Sequence, residues 1–341
     1  MRSLTNKRAL VTTTIFLVLA LLFSLQMNAW RKFDWSLFVT NARNVSLLPP
    51  LTAVALIHLG FLLRAFRWSI LMRPLKAVSA ARLIGPTFVG FTGLALLGRA
   101  GELVRPYLIS RKEGLSISSQ LAALTLERIL DTASAGILIL AAVLVTPNTR
   151  SLPYAQDFRR GSVLILALMA LLALLVFLLA KNGELFGRVL LRILSPLPAR
   201  LADKVARIAS AFGADLHLIR DAKSLAQVVA LSISIWMMVG LAYFETIRAF
   251  ASLWRLSVGD AFLLMGFSIL GSLVQLPGGG TSQLIAIAAL MQVFGVSAEL
   301  AVSCGILGWL TIYMAPVPLG MGLLRQERAS LRVILRSNGQ A

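Results

Sequence analysis

Apolar runs of roughly 20 residues recur along the chain, separated by short charged connections. This is neither the alternation of a half-buried strand nor the one-sided stripe of a surface helix. Each run is long enough as a helix to cross about 30 Å of hydrocarbon. The pattern predicts spans over Ala9 to Met27, Pro50 to Leu63, Ile117 to Val145, Gly161 to Ala180, Leu225 to Ile247 and Leu300 to Leu324. The second is short as written and has room to begin nearer Val45. Two further apolar stretches, Leu83 to Leu97 and Ala261 to Val293, do not fit a simple crossing.

The first of these is flanked by Arg82 and Arg99, so both ends belong to one basic side. As a single helix its 15 residues reach about 23 Å, and Gly85, Pro86, Gly90 and Gly93 invite a break. A hairpin that dips into the membrane and returns is the predicted form. The second stretch holds Gly266, Gly271 and the run Pro277, Gly278, Gly279, Gly280, and the same reasoning predicts a hairpin entering from the opposite face. "LLGRAGE" at 96 parallels "QLPGGGT" at 275, and "EGLSISSQLAAL" at 113 parallels "FGVSAELAVSCG" at 294, offsets of 179 and 181. The fold expected is therefore all-α: about six full transmembrane helices plus two re-entrant helical hairpins in an inverted-repeat arrangement within one membrane domain, residues 1–341. Repeat 1 covers about 50–146 and repeat 2 about 225–324. Such architectures place a substrate site at mid-membrane, between broken helices.

Composition agrees: 58% of residues are hydrophobic and the mean hydropathy is +0.83. The formal charge of +19 raises nucleic acid as a partner, but its placement argues against that. Of the 33 Lys and Arg, 24 fall in the N-terminal tail, Arg64 to Lys112, Lys181 to Lys223 and after Leu324; only 8 fall in the alternating connections. That asymmetry puts both termini in the cytoplasm. The N-terminal run, 19 residues with no small-residue cleavage site after it, reads as a retained anchor. The connection 181–223 alternates basic and aliphatic residues at near-helical spacing, as amphipathic helices on an anionic leaflet do. Cys304 is the single cysteine, so no disulfide framework exists.

Charges inside the membrane must pair or line water. Arg99, Glu102 and Arg105 recur every three residues beside the "GRAG" break; Glu127 and Asp131 share a face of the following span, with Arg128 about 100° round it. Arg99 or Arg105 is expected to meet Glu127 or Asp131, leaving one guanidinium for a lipid phosphate. The alternative is a buried ion-pair lock that touches no ligand. Arg64 and Arg67, beside Trp68, read as an interfacial anchor. No Walker loop, cysteine pair, histidine cluster or Gly-x-Ser-x-Gly elbow is present, so neither cofactor nor metal is expected and an enzyme is less expected than a carrier.

The stretch "GRAGELVRPYLISRKEGLSISSQLAALTLERILD" resembles the flippase-like domain family, also called the lysylphosphatidylglycerol synthase transmembrane region. "LPGGGTSQ" and "FGVSAEL" are similar to that family's second half, and the resemblance runs from Ala9 to Leu324. It implies a bacterial inner-membrane protein related to the translocating part of the multiple peptide resistance factor. Arg99, Gly101, Glu102, Arg105, Glu127, Arg128 and Asp131 would take the places of the family's polar residues, and Pro277, Gly278 and Gly279 those of its second loop. Where the family often continues Gly then Glu, this chain has Gly280 followed by Thr281, Ser282 and Gln283, which argues against a cationic aminoacyl headgroup as cargo. The aminoacyl-transferase domain is missing, so synthase activity is not expected. The function expected is lipid translocation, downhill or ion-linked, of an anionic phospholipid or a glycosylated or polyprenyl-linked lipid, with Gln283 added to the polar cavity. The alternatives are an intramembrane lipid transferase or hydrolase and a non-transporting partner of a membrane glycosyltransferase or lipid synthase; a homodimer is compatible with either.

Overall fold

A computed structural model describes residues 33–145, 222–274 and 277–338, with a few positions between 156 and 171. The predicted spans Ala9 to Met27 and Gly161 to Ala180 lie outside the described residues, wholly or nearly so, as does the amphipathic connection up to 221. The described part is helical: α1 (Trp35–Arg43), α2 (Leu48–Met72), α3 (Ala80–Leu97), α4 (Val104–Glu113), α5 (Ile117–Val145), α6 (Ala222–Arg248), α7 (Val258–Gly271), α8 (Gly280–Gln292), α9 (Ala298–Gly308) and α10 (Pro316–Asn338). Among the described residues, four stretches are long and apolar enough to cross a membrane: Leu48–Met72, Ala80–Glu113, Lys223–Arg248 and Ala298–Glu327.

The second of these is not a straight rod. A 3-10 turn at Gly98–Leu103 folds α4 back along α3. Gly90 lies against the backbone of Arg105 and Gly93 against Val104. At the open end of this hairpin Lys112 Nζ donates to the Arg82 carbonyl at 3.2 Å, so both legs start from one level. α7 and α8 repeat the design. Gly271 packs against the backbone of Thr281 and Ser282, and at the open end Arg255 donates to the Phe294 carbonyl at 2.7 Å.

The two hairpins enter from opposite ends of the bundle. Near the base of the first, Lys76 and Arg82 each sit 3.0 Å from Glu113, and Lys112 2.8 Å from Glu327 of α10. Near the base of the second, Ser46 N–H donates to Ala249 and Asp34 N–H to Glu299. Asp34 also caps α1; bonds from the Ser36 hydroxyl and the Leu37 amide hold its carboxyl below the usual carboxylate range. α2, α5 and α6 each run from one of these ends to the other, and α9 with α10 completes a fourth such path. α2 and α6 form the most extensive helix pair.

The tips of the hairpins meet in the middle. Arg99 NH2 donates to the Ser272 and Leu273 carbonyls at 3.4 and 3.3 Å. Leu96, Leu97, Leu103, Leu273 and Val274 are all exposed at these turns, which suits hydrocarbon rather than water. In lipid a broken helix must find other partners for its freed carbonyls. Here Thr281 Oγ1 donates to Val274, Trp309 Nε1 to Gly278 and the Tyr313 hydroxyl to Leu94.

Four expectations need correction. The stretch Leu83 to Leu97 is not itself a hairpin: it lies in one helix, α3, unbroken at Gly85, Pro86, Gly90 and Gly93, and the chain folds back only after it, at Gly98–Leu103. α2 continues nine residues beyond Leu63 to Met72, because Arg64 and Arg67 are not its end. The predicted span Leu300 to Leu324 is present within Ala298–Glu327, but it is not one regular helix: a π turn, Trp309–Tyr313, interrupts it, and Met314 N–H reaches back to Trp309. Pro316 follows and has no N–H to continue the regular ladder. Four of the nine basic residues between Arg64 and Lys112 do not belong to a charged helix end: Arg64, Arg67 and Arg105 are buried among the helices, and Arg99 reaches the turn of the second hairpin.

Candidate functional site

Arg64 and Arg67 lie one turn apart on α2; Glu127 and Asp131 lie one turn apart on α5. The two faces close on each other. Arg67 NH1 donates to Asp131 Oδ1 at 2.7 Å, and Arg64 NH1 to Asp131 Oδ2 at 2.9 Å. Arg67 NH2 stands 3.4 Å from Glu127 Oε2. Arg67 NH1 also donates to Ser232 of α6 at 2.7 Å, tying a third helix to the pair.

The first hairpin adds Arg105. Its NH2 donates to Glu127 Oε1 at 2.6 Å, while its guanidinium carbon lies 4.1 Å from the centre of the Trp68 ring. Stacking on an indole face favours a guanidinium where water is scarce. Arg128 NH2 donates to Glu127 at 2.8 Å and stands 3.6 Å from Asp131. Four guanidiniums thus face two carboxylates. Arg64, Arg67, Arg105, Glu127 and Asp131 are buried. An excess of buried cation is unfavourable unless an anion or water answers it. Arg105 NH1 and Arg128 Nε, both shielded, find no acceptor among the described residues.

The cluster opens on one side. The Arg128 side chain is 38% exposed, that of Glu102 20% and that of Arg99 55%. Glu102 stands 3.8 Å from Arg99 and lines the same recess as Arg105 and Arg128, so it offsets part of the cluster's excess charge without hydrogen-bonding to it. A recess of about 10 Å³ lies here among Gly90, Glu102, Arg105, Leu124 and Arg128. That suffices for about one water and is too small for a phosphate. The cations reach the surface here, but no cavity of headgroup size is open in this conformation.

The residues singled out from the sequence are therefore distributed as follows. Arg105, Glu127, Arg128 and Asp131 meet in one network. Arg99, Glu102 and Arg105 do not share a helix face, because the 3-10 turn rotates Arg105 inward and sends Arg99 to the other hairpin. Gly101 is buried in the turn, against the Gly93 carbonyl. Pro277, Gly278 and Gly279 form the tip of the second hairpin and pack on α3 and on the Gly98–Leu103 turn, away from the ion pairs. Gln283 is buried on α8 near Gly308. Arg64 and Arg67 were read as an interfacial anchor and are instead the principal partners of Asp131. The signal was present: four apolar or small residues, "SILM", separate Trp68 from Arg73, so the arginines precede the helix end by more than a turn.

The family described as the lysylphosphatidylglycerol synthase TM region matches residues 9–320, which include every residue of the network. A UPF0104 membrane protein of Methanothermobacter thermautotrophicus is 26% identical over 275 residues, 78% of this chain and 79% of that protein.

Proposed function

The chain belongs to the lysylphosphatidylglycerol synthase TM region family of membrane proteins, and from that premise we propose that it carries the headgroup of an anionic lipid between leaflets. One observation carries the reading: the arginine-rich cluster leaves Arg128 and Arg99 open at the depth where the two hairpin tips meet. A lock that only fastened helices would gain nothing from exposing guanidiniums there. Net positive charge and donor-only side chains favour phosphate oxygens. A phospholipid and a polyprenyl phosphate both offer these.

In this reading the hairpins are re-entrant, 50–146 and 225–324 are inverted halves, and the tails stay in hydrocarbon while the head passes the cluster. Passage requires the tips to part, because the recess is too small for a headgroup and Arg99 bridges the turns. The end carrying Arg73, Lys76, Arg82, Arg111 and Lys112 is cytoplasmic, and the membrane is the inner one. The surplus of cations at that end supports this orientation.

The test is transfer of labelled phosphatidylglycerol and labelled polyprenyl phosphate across vesicles holding the purified chain. Transfer faster than in protein-free vesicles, lost in Arg128→Gln, is expected. If no lipid class moves faster than in empty vesicles, the reading fails.

A further inference from the structure

Behind the cluster, on the side away from Arg128, lies a chamber of about 180 Å³ between α2, α3, α6 and the Trp309–Tyr313 turn. Ile57, Phe61, Ile235, Val239 and Ile312 make its walls apolar. Three polar side chains interrupt them: Arg64 and Trp236, which can only donate, and Tyr313, whose hydroxyl donates to the Leu94 carbonyl. Arg64 engages Asp131 and Glu127 through NH1 alone, and its other nitrogens make no hydrogen bond among the described residues. Trp236 lines the chamber with its ring; its Nε1 finds no acceptor among the described residues and is shielded from the chamber as well as from the surface.

Two features indicate a space kept open for a ligand. Gly60 of α2 lines the chamber, yet a Cβ there would meet nothing within 4 Å, so no close packing demands this helix-disfavoured residue. Phe91 and Leu94 of α3 line both the chamber and the recess by Arg128. The Phe91 ring lies 5.1 Å from the guanidinium carbon of Arg64 and 5.1 Å from that of Arg105, as a partition between two cationic faces of one network.

The geometry points to a second lipid subsite: the chamber takes the acidic end of an apolar chain, its oxygens on the free nitrogens of Arg64 and its carbons against the apolar walls and the Trp236 ring. An apolar cavity of about 150 Å³ holds a benzene, so this one holds about six carbons. The acceptor is a carboxylate or a phosphate, and Phe91 separates this subsite from the headgroup recess. The inference rests on the reading of the cluster as a site for anionic lipid.

Trp236 itself reports occupancy. The full chain in detergent would be titrated with a chain-brominated fatty acid, a chain-brominated phosphatidylglycerol and a brominated alkane. The signal is the fluorescence quenching present in the native chain and absent from Trp236→Phe. Saturable quenching by an acid-bearing probe, absent with the alkane and weakened at least about tenfold in Gly60→Leu, is expected; whichever acid-bearing probe saturates identifies the source of the acceptor. Gly60→Leu should melt no lower than the native chain, since it fills open space. Quenching that rises without saturation, that the alkane reproduces, or that Gly60→Leu leaves unchanged overturns the subsite. The titration needs no transfer between leaflets, so it fails or succeeds independently of the vesicle assay.

Discussion

Asp131 accepts from two arginines of α2, which makes it the residue whose charge the network can least lose. Asparagine keeps its shape but leaves Arg64 and Arg67 to share Glu127. Removing one partner of a buried pair typically costs about 3–5 kcal/mol, because the remaining charge stays buried. Asp131→Asn is therefore expected to lower the melting temperature in detergent by several degrees; an unchanged melting curve would mean that the pair is not intact. Arg128 should behave differently. Its side chain is 38% exposed, so Arg128→Gln should cost less than about 1 kcal/mol. Loss of lipid transfer with a native melting curve is the expected result, and equal losses of both would mark Arg128 as merely structural. The sequence made Glu127, Arg128 and Asp131 visible because carboxylates deep in an apolar run have no bland explanation. It hid Arg64 and Arg67 because an Arg-x-x-Arg-Trp run near the end of an apolar segment is also how an interfacial anchor is written.

The hairpins were legible only in part: the Pro-Gly-Gly run marked the second turn, but Leu83 to Leu97 is a single helix, and Arg99 lies at the tip while Arg82 lies at the base, so the flanking charges did not mark the first fold-back. Glycine positions then fix how closely the legs approach. At Gly101 an added Cβ would land on the Gly93 carbonyl, so two backbones would have to part. Gly101→Ala should lower stability by about 1–3 kcal/mol, the usual range for overpacking. Gly60→Ala, with open space at the same atom and a helical backbone, should raise stability by about 0.5–1 kcal/mol. Paired melting measurements check this contrast, and a Gly101→Ala variant no less stable than the native chain would contradict the close approach of the hairpin legs. Gly278, at φ +80°, marks the second tip and could be read as a turn from its Pro-Gly-Gly neighbours. The π turn could not be read in advance. Pro316 announces an irregularity, but what stabilises the turn's surroundings comes from remote contacts: Trp309 on Gly278, Tyr313 on Leu94, and Thr311 beside Thr246. Such contacts exist only after the two hairpins have met.

At the scale of the whole molecule the two hairpin bases define two ends, and their charges differ. Arg73, Lys76, Arg82, Arg111 and Lys112 surround the first base, with Glu113 and Glu327 as acids. Arg43, Arg248 and Arg255 accompany the second, with Asp34, Glu245, Asp260 and Glu299. Cations are retained on the cytoplasmic side of short connections, so the first base should face the cytoplasm. Cys304 is the chain's single cysteine and is buried, so Cys304→Ala supplies a silent background for labelling. Trp254 is 70% exposed in the connection that leads into the second hairpin, and Arg111 is exposed near the base of the first. In intact cells a membrane-impermeant maleimide should label Trp254→Cys and spare Arg111→Cys until the membrane is opened. The reverse pattern would invert the orientation while preserving the opposed hairpins. Labelling of both sites in intact cells would contradict the opposed hairpins, because their bases could not then lie on opposite faces of the bilayer.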